Sequence, residues 1–289
     1  MNRFLVLQTI LQFGSFTKAA DALGYTQSAI SQAVASLETE FDVKLLNRSR
    51  NGVALTIAGQ QLYPLMQQTL RQYQAVKETA SAIRGLDTGL VRIGTYSSIT
   101  RTWLPKLIKS FQQDYPNVDF VFYMGDYSAI GEWLRTNMID FGITSPVGTQ
   151  GFQTVPIKRG DMLAVLPEQH PLAQLTAVPI EKLATDPFIL LEEGSYSEPL
   201  TAFQRAGVTP NVKFRVHDDY AIMTMVEAGL GVSILAELTL QRMPFKLATR
   251  PLTPPLTREI ALAYRDWDSL PIASQTFINQ LLAQQDQLP

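Results

Sequence analysis

The residues best suited to chemistry fall into two sets. The first is Gln27, Ser28, Ser31, Gln32 and Ala35, on one side of a segment whose other side carries Ile30, Val34, Leu37 and Phe41. Apolar spacings of four, three and four lay one stripe along an amphipathic helix. The opposite face then offers amides, hydroxyls and methyls with little bulk, which suits a helix that enters a DNA major groove. A glutamine amide can pair with adenine N6 and N7, so Gln27 and Gln32 are base-reading candidates. Ser28 and Ser31 can bond a phosphate or a base edge, and Ala35 can meet a thymine methyl. A solvated helix face has the same composition, so the neighbouring segments must decide.

The second set is a series of hydroxyls at the ends of strand-like segments: Thr95, Ser97 and Ser98, then Tyr127, then Thr144 and Ser145, then Ser195, with His217 further on. In open α/β sheets a ligand sits beyond the carboxyl ends of the strands, where helix N-termini present free N–H groups. Serines there also serve as N-caps, yet their recurrence at successive strand ends favours a pocket. Such a pocket suits a small anion, for example a carboxylate.

Other chemistries are excluded by what the chain lacks. It has no cysteine, which removes disulfides, cysteine-based zinc sites and thiol nucleophiles. Only His170 and His217 are present, far apart, so neither a metal site nor a nucleophile-base-orienter set is expected, and the chain does not read as an enzyme. The net charge is -2, and residues 1–60 carry five basic against four acidic side chains. A DNA contact must therefore rely on locally placed charge and on more than one copy.

The positioning elements can be read in order. Phe4, Leu7 and Leu11 share a helix face that Gly14 ends. Arg3 before Phe4–Leu7 resembles a signal-peptide start, but Gln8 and Gln12 interrupt the run and a core helix is expected. Thr17 to Gly24 is a short alanine-rich helix, and Thr26 is the expected N-cap of the next. Asn51-Gly52 then marks a hairpin between Leu45–Arg48 and Val53–Thr56. Two helices, a tight turn and a short hairpin make a winged helix-turn-helix.

These residues carry a family resemblance. The run from Gly14 to Glu38, continued by Leu45-Leu46-Asn47-Arg48 and Leu55-Thr56-Ile57-Ala58-Gly59, resembles the N-terminal domain of bacterial LysR-type transcriptional regulators. Much of that family has a proline where Ser28 stands, and often a basic residue at Gln32, Ala35 or Ser36. These departures remove the family's usual contacts, so the DNA contacts expected from residue chemistry and position are Thr26, Gln27, Ser28, Ser31 and Gln32, with Arg50 and Asn51 of the wing. Arg48 stays open between a structural ion pair and a contact.

From Ile57 to Arg84, Leu62, Met66, Thr69, Tyr73, Val76, Ala80 and Ile83 recur at alternating spacings of four and three. This heptad seam predicts a pairing helix, with Leu62, Met66, Tyr73, Val76 and Ile83 as its dimerisation residues. Two heads so joined would read a roughly palindromic operator. Beyond Gly85, strands alternate with helices at Leu90–Thr95, Ser97–Phe111, Val118–Tyr123, Ile130–Asn137 and Ile139–Ile143, and again from Met162 and Phe188 onward. Arg92–Gly94, Trp103–Pro105, Asp140–Ile143 and Val226–Val232 resemble, in order, the family's effector domain, which is itself similar to periplasmic solute-binding proteins.

The expected class is therefore α/β with an all-α, winged-helix N-terminal domain. The boundaries are a winged domain over 1–58, a linker helix over 59–86 and a two-lobed effector domain over 87–289. Lobe I takes 87–159 plus 266–289 and lobe II takes 160–265. No stretch reaches the roughly 18 apolar residues of a membrane span, so a cytoplasmic protein is expected. The resemblance implies a regulator that binds double-stranded DNA as a homodimer or homotetramer, acts with RNA polymerase at the promoter and answers to a small effector, with no cofactor. The alternative is a solute-binding transport protein, which would account for residues 87–289 and leave the winged helix unexplained.

Overall fold

The computed structural model describes residues 2–49, 52–82, 88–241 and 244–289. It forms two compact units, Met1–Ala80 and Ser81–Pro289.

The first unit comprises α1 (Arg3–Phe13), α2 (Phe16–Leu23), α3 (Gln27–Phe41), β1 (Leu46–Ser49), β2 (Gly52–Leu55) and α4 (Ile57–Ala82). Side-chain caps set the helix starts: Asn2 accepts from the N–H groups of Phe4 and Leu5, Ser15 from Lys18, and Thr26 from Ala29. The stops are left-handed residues, Gly14, Gly24 and Asp42. Val6, Leu7 and Ile10 pack with Ala19, Ala20, Ile30, Val34, Leu37 and Leu45 in one core, so the Phe4–Leu7 run is a core helix.

The wing is tied down by polar contacts. Glu38 of α3 accepts hydrogen bonds from the N–H groups of Leu45 (2.9 Å) and Leu46 (3.3 Å) and pairs with Lys44 (2.6 Å). Partial burial pushes the Glu38 carboxyl up, but the Lys44 ammonium and the two backbone donors prevail and hold it below its ordinary value. Thr56 Oγ1 accepts from the N–H of Gly59 at 2.9 Å and donates to the Lys44 carbonyl at 2.6 Å, joining the start of α4 to the segment between α3 and β1. A Cβ on Gly59 would lie 2.3 Å from the Leu45 carbonyl oxygen, which explains a glycine in the first turn of a helix. Ser49 pairs with Gly52, so the hairpin connection falls one residue earlier than the Asn51-Gly52 signal suggested; Arg50 and Asn51 lie outside the described residues.

Helix α4 runs on through Pro64, and its faces correct the expected seam. Met66 is only 5% exposed, inside the core of this unit, and Leu62 packs against the same core. Both are spent within the chain. Leu65, Thr69, Tyr73 and Val76 are the exposed stripe, and Ile83 lies outside the described residues. The seam was misplaced at its start because sequence spacing cannot tell a stripe turned to the helix's own domain from one turned to a partner.

The second unit opens with β3 (Gly89–Thr95), α5 (Ser97–Thr102), α6 (Leu104–Asp114), β4 (Val118–Met124), α7 (Tyr127–Arg135) and β5 (Phe141–Thr144). The chain then crosses in β6 (Gln153–Pro167) to β7 (Val178–Pro179), α8 (Ile180–Leu183), β8 (Pro187–Leu191), α9 (Glu198–Arg205), β9 (Asn211–Val216), α10 (Asp219–Glu227), β10 (Ser233–Ala236) and α11 (Glu237–Leu240). It returns through β11 (Leu247–Tyr264) to α12 (Ile272–Ala283). β3 pairs in parallel with β4 and β5, and β8 with β9, as strand-helix alternation requires. β6 and β11 instead form a long antiparallel ladder from Gln153↔Tyr264 to Pro167↔Leu247. One hydrogen-bonded sheet, in the order β10-β6-β11-β5-β3-β4, therefore runs through both lobes.

That ladder corrects the lobe limits. Ala261 to Ala263 pair with β5, and Ile260, Leu262 and Tyr264 are buried in the first lobe's core with Trp103, Phe111, Phe141 and Phe277. The return crossing thus precedes Ile260 rather than following Tyr264. A strand that continues without a turn carries no sequence mark where it changes lobe. Asp140 also proves structural: it accepts from the Arg92 N–H and from Ser274 Oγ, each at 2.8 Å, linking β3 to α12.

Replacing Glu38 with alanine should lower stability by about 1–3 kcal/mol at neutral pH, because two backbone donors lose their acceptor. The Glu38 contribution is present above the unfolded carboxyl pKa of about 4.3 and is lost as pH falls through the lower folded value. Melting curves of wild type and variant, followed by circular dichroism, should therefore converge in acid.

Candidate functional site

On the first unit, α3 exposes Gln27, Ser28, Gln32 and Ala35, with Ser31 half-buried. Thr26 Oγ1 caps the helix at Ala29 N–H (3.2 Å) and lies 3.0 Å from Ser28 Oγ, while Gln27 Nε2 donates to Ser31 Oγ at 3.2 Å. Among the described residues the Gln32 side chain makes no hydrogen bond, so its amide is free for a partner. Sequence reasoning missed Arg3: it donates to Ser36 Oγ at 2.9 Å and pairs with Glu40 at 2.6 Å, which brings a guanidinium beside the second half of α3. Nothing local in the sequence marks a contact over 33 positions. Lys44 is engaged by Glu38, whereas Lys18 is exposed and forms no ion pair among the described residues. The Arg48 side chain, like Arg50 and Asn51, lies outside the described set.

In the second unit a cavity of about 370 Å³ lies between the lobes. Its walls come from the ends of successive strands: Tyr96, Ser97 and Ser98 after β3, Gly125 and Asp126 after β4, Glu192 and Glu193 after β8, and His217 to Asp219 after β9. Arg258 of β11 and the apolar side chains Met124, Trp133 and Leu191 complete it. A second hollow of about 460 Å³, lined from α6 and β4, holds a single charged side chain, Lys109.

The strand-end prediction thus locates the cleft but only partly the side chains. Ser97, Ser98 and His217 line it. Thr95, Tyr127, Thr144 and Ser145 do not; all four are buried beneath it. Tyr96 Oη lies 2.6 Å from Thr144 Oγ1 and accepts the Ser145 N–H at 2.8 Å, and Tyr127 donates to Glu198 at 2.6 Å. Burial pushes both tyrosine hydroxyls up, so both remain protonated. Ser195 lines the adjoining hollow under α9 and meets Ser128 at 3.1 Å. The lobes are further joined by Ser97 donating to Asp219 at 2.6 Å and by Arg101, 3.6 Å from Asp219 and stacked 4.3 Å over the Tyr220 ring.

Arg258 is the centre that sequence reasoning missed. It is only 4% exposed, lies over the Tyr96 ring at 5.0 Å, donates to Ser98 Oγ at 3.3 Å and stands 3.7 Å from Glu193. Among the described residues its Nε has no hydrogen-bond partner. Burial pushes the Glu193 carboxyl up; Arg258 opposes this, and the carboxylates of Glu198, Asp219 and Asp126 reinforce it, with the balance at about 8. Burial and these neighbouring carboxylates thus favour the protonated form of Glu193 beside the guanidinium.

Residues 1–60 match the bacterial regulatory helix-turn-helix proteins of the lysR family, and residues 84–286 match the LysR substrate binding domain. The chain belongs to the LysR family. It is 36% identical over 281 residues to the uncharacterized HTH-type transcriptional regulator YvbU of Bacillus subtilis, covering 96% of each chain. A full-length OxyR variant from Pseudomonas aeruginosa superposes with a TM-score of 0.73 at 25% identity, over 99% of this chain and 94% of that one. The regulatory domain of CcmR from Synechocystis PCC6803, in complex with 2-PG, shares the fold at 23% identity and a TM-score of 0.64, over 70% of this chain and all 100% of that one. This LysR-family chain is a DNA-binding transcriptional regulator with a small-molecule effector domain, and the solute-transport alternative falls. Among the described residues no helix is long and apolar enough to cross a membrane.

The raised Glu193 value has a signed consequence. The folded protein favours the protonated acid, a stabilisation present below the unfolded carboxyl pKa and lost as pH rises through about 8. Melting temperature should fall over that interval, and Glu193→Gln should flatten the fall in melts across a pH series.

Proposed function

We propose that this regulator reads a roughly two-fold symmetric operator in double-stranded DNA through α3 helices on subunits paired by α4, as a homodimer or homotetramer in the cytoplasm. A small effector carrying a carboxylate or another anionic group sits at Arg258 and Ser98, and its binding sets how the paired heads engage the operator and RNA polymerase at the promoter. The protein acts by binding, not by catalysis.

The observation that carries the DNA reading is the combination, on one compact unit, of a free amide at Gln32 with an exposed apolar stripe on α4. Burying a Leu, Val or Tyr side chain against a copy of itself contributes on the order of 1.5–3 kcal/mol each, enough for three or four such residues to hold two helices together. Tyr73 is 51% exposed and Val76 65%, so neither is used within the chain's own core. The α3 face carries no lysine or arginine of its own, so phosphate contacts fall to Lys18, Arg3 and the wing.

The effector reading is supported by the lobes' mutual contacts. Ser97 with Asp219, Tyr127 with Glu198 and Ser128 with Ser195 all bridge the cleft. A ligand at Arg258 would change the balance of those bridges and so favour one lobe arrangement over another.

Two measurements test the DNA part. Gln32→Ala should cost about 1–3 kcal/mol on the cognate operator and little on random DNA. Equal loss on both, by fluorescence anisotropy at fixed salt, would end the base-reading role. A Tyr73→Asp/Val76→Asp double variant should lower the mass seen by light scattering, and an unaltered mass would place the main interface elsewhere.

A further inference from the structure

We propose that the effector is a small zwitterion, its anionic end on Arg258 and a cationic amine against the carboxylates of Asp126 and Asp218. The proposal rests on the cleft being the effector site.

The cavity is not uniform in charge. Arg258, nine-tenths buried, holds an Nε with no hydrogen-bond partner among the described residues, donates to Ser98 over the Tyr96 ring and stands 3.7 Å from Glu193. The other acidic residues of the lining are Asp126, Glu192, Asp218 and Asp219. Two of these are already matched: Glu192 pairs with Arg215 at 3.1 Å, and Asp219 accepts from Ser97 and lies near Arg101. Asp126 and Asp218 are not. Each caps its own helix, accepting from Ala129 N–H at 2.8 Å and Ala221 N–H at 2.7 Å, and neither forms an ion pair with a cation among the described residues.

Those caps reverse the usual chemistry of a helix start. An uncapped N-terminus carries about half a positive charge and attracts anions, but an aspartate there contributes a full negative charge and leaves the site net negative. The termini of α7 and α10 therefore repel a ligand that is only an anion, and they attract an ammonium. The same lining includes Met124, Trp133 and Leu191, apolar side chains suited to a short hydrocarbon segment. The volume of about 370 Å³ is at the low end for small-molecule sites and fits an amino acid or a similar amino-carboxylic compound.

The test uses the full-length protein and three matched sets of probes: proteinogenic and ω-amino acids, the corresponding acids lacking the amine, and the corresponding amines lacking the carboxylate. Thermal shift would screen them and calorimetry would measure the hits. Amino acids from the first set should stabilise the protein while their deaminated and decarboxylated counterparts bind roughly tenfold or more weakly. An Asp126→Asn/Asp218→Asn variant keeps both helix caps, since asparagine caps as well as aspartate. It should lose the amino-acid preference and take the plain acid about as well as the zwitterion. Equal wild-type binding of acid and amino acid, no stabilisation by any zwitterion, or full zwitterion affinity in the double variant would overturn the proposal. Arg258→Gln separates the two levels. Zwitterion binding that survives this change moves the effector out of the cleft. Binding that is lost here yet indifferent to Asp126 and Asp218 leaves the cleft in place and removes only the amine end.

Discussion

Arg258 sits opposite Gly160 in the ladder that β11 makes with β6, and taking a guanidinium out of water there costs several kcal/mol that its surroundings must offset. The offset is incomplete within the chain. Ser98 takes one N–H, the Tyr96 ring offers its π face, and Glu193 is too far for a hydrogen bond and favours its protonated form. The strands that hold Arg258 also join the lobes, so any group that completes its coordination acts on the elements that set lobe geometry.

The fold was legible where the signals are local. The cap at Thr26, left-handed glycines at 14 and 24, and the four-three spacing of α3 mark the winged unit directly, whereas α2 begins at Phe16 on a Ser15 cap, one residue before the expected Thr17. The parallel strands of the second unit follow from their alternation with helices. The full extent of β11 was not legible, because Pro251, Pro254 and Pro255 interrupt the pattern of its 18 residues well before the lobe change.

The site was legible by position more than by side chain. Topology sends strand ends to the cleft, so Ser97, Ser98 and His217 could be found. Which neighbours reach the cavity depends on the direction of each side chain, and Thr95, Thr144 and Ser145 point into the packed layer below. Arg258 beside Glu259 looks like any solvent-facing pair in sequence; its burial comes from a lobe assembled by residues far away in the chain. Asp126 and Asp218 carry N-cap chemistry that is complete in itself, so nothing in the sequence marks them as cavity lining.

The packing of α4 bears on how the N-terminal unit can be divided. Met66 and Leu62 fill the core beneath α1 and α3, and Gly59 lets α4 press against the Leu45 carbonyl. The long helix is therefore a structural wall of the head and not a tether attached to it. A fragment cut at residue 58, where the winged motif ends in sequence, would lack that wall and open its core to water. By the same token the head cannot swivel on the helix: a rotation of α4 about its own axis carries the exposed face of α3 with it, degree for degree.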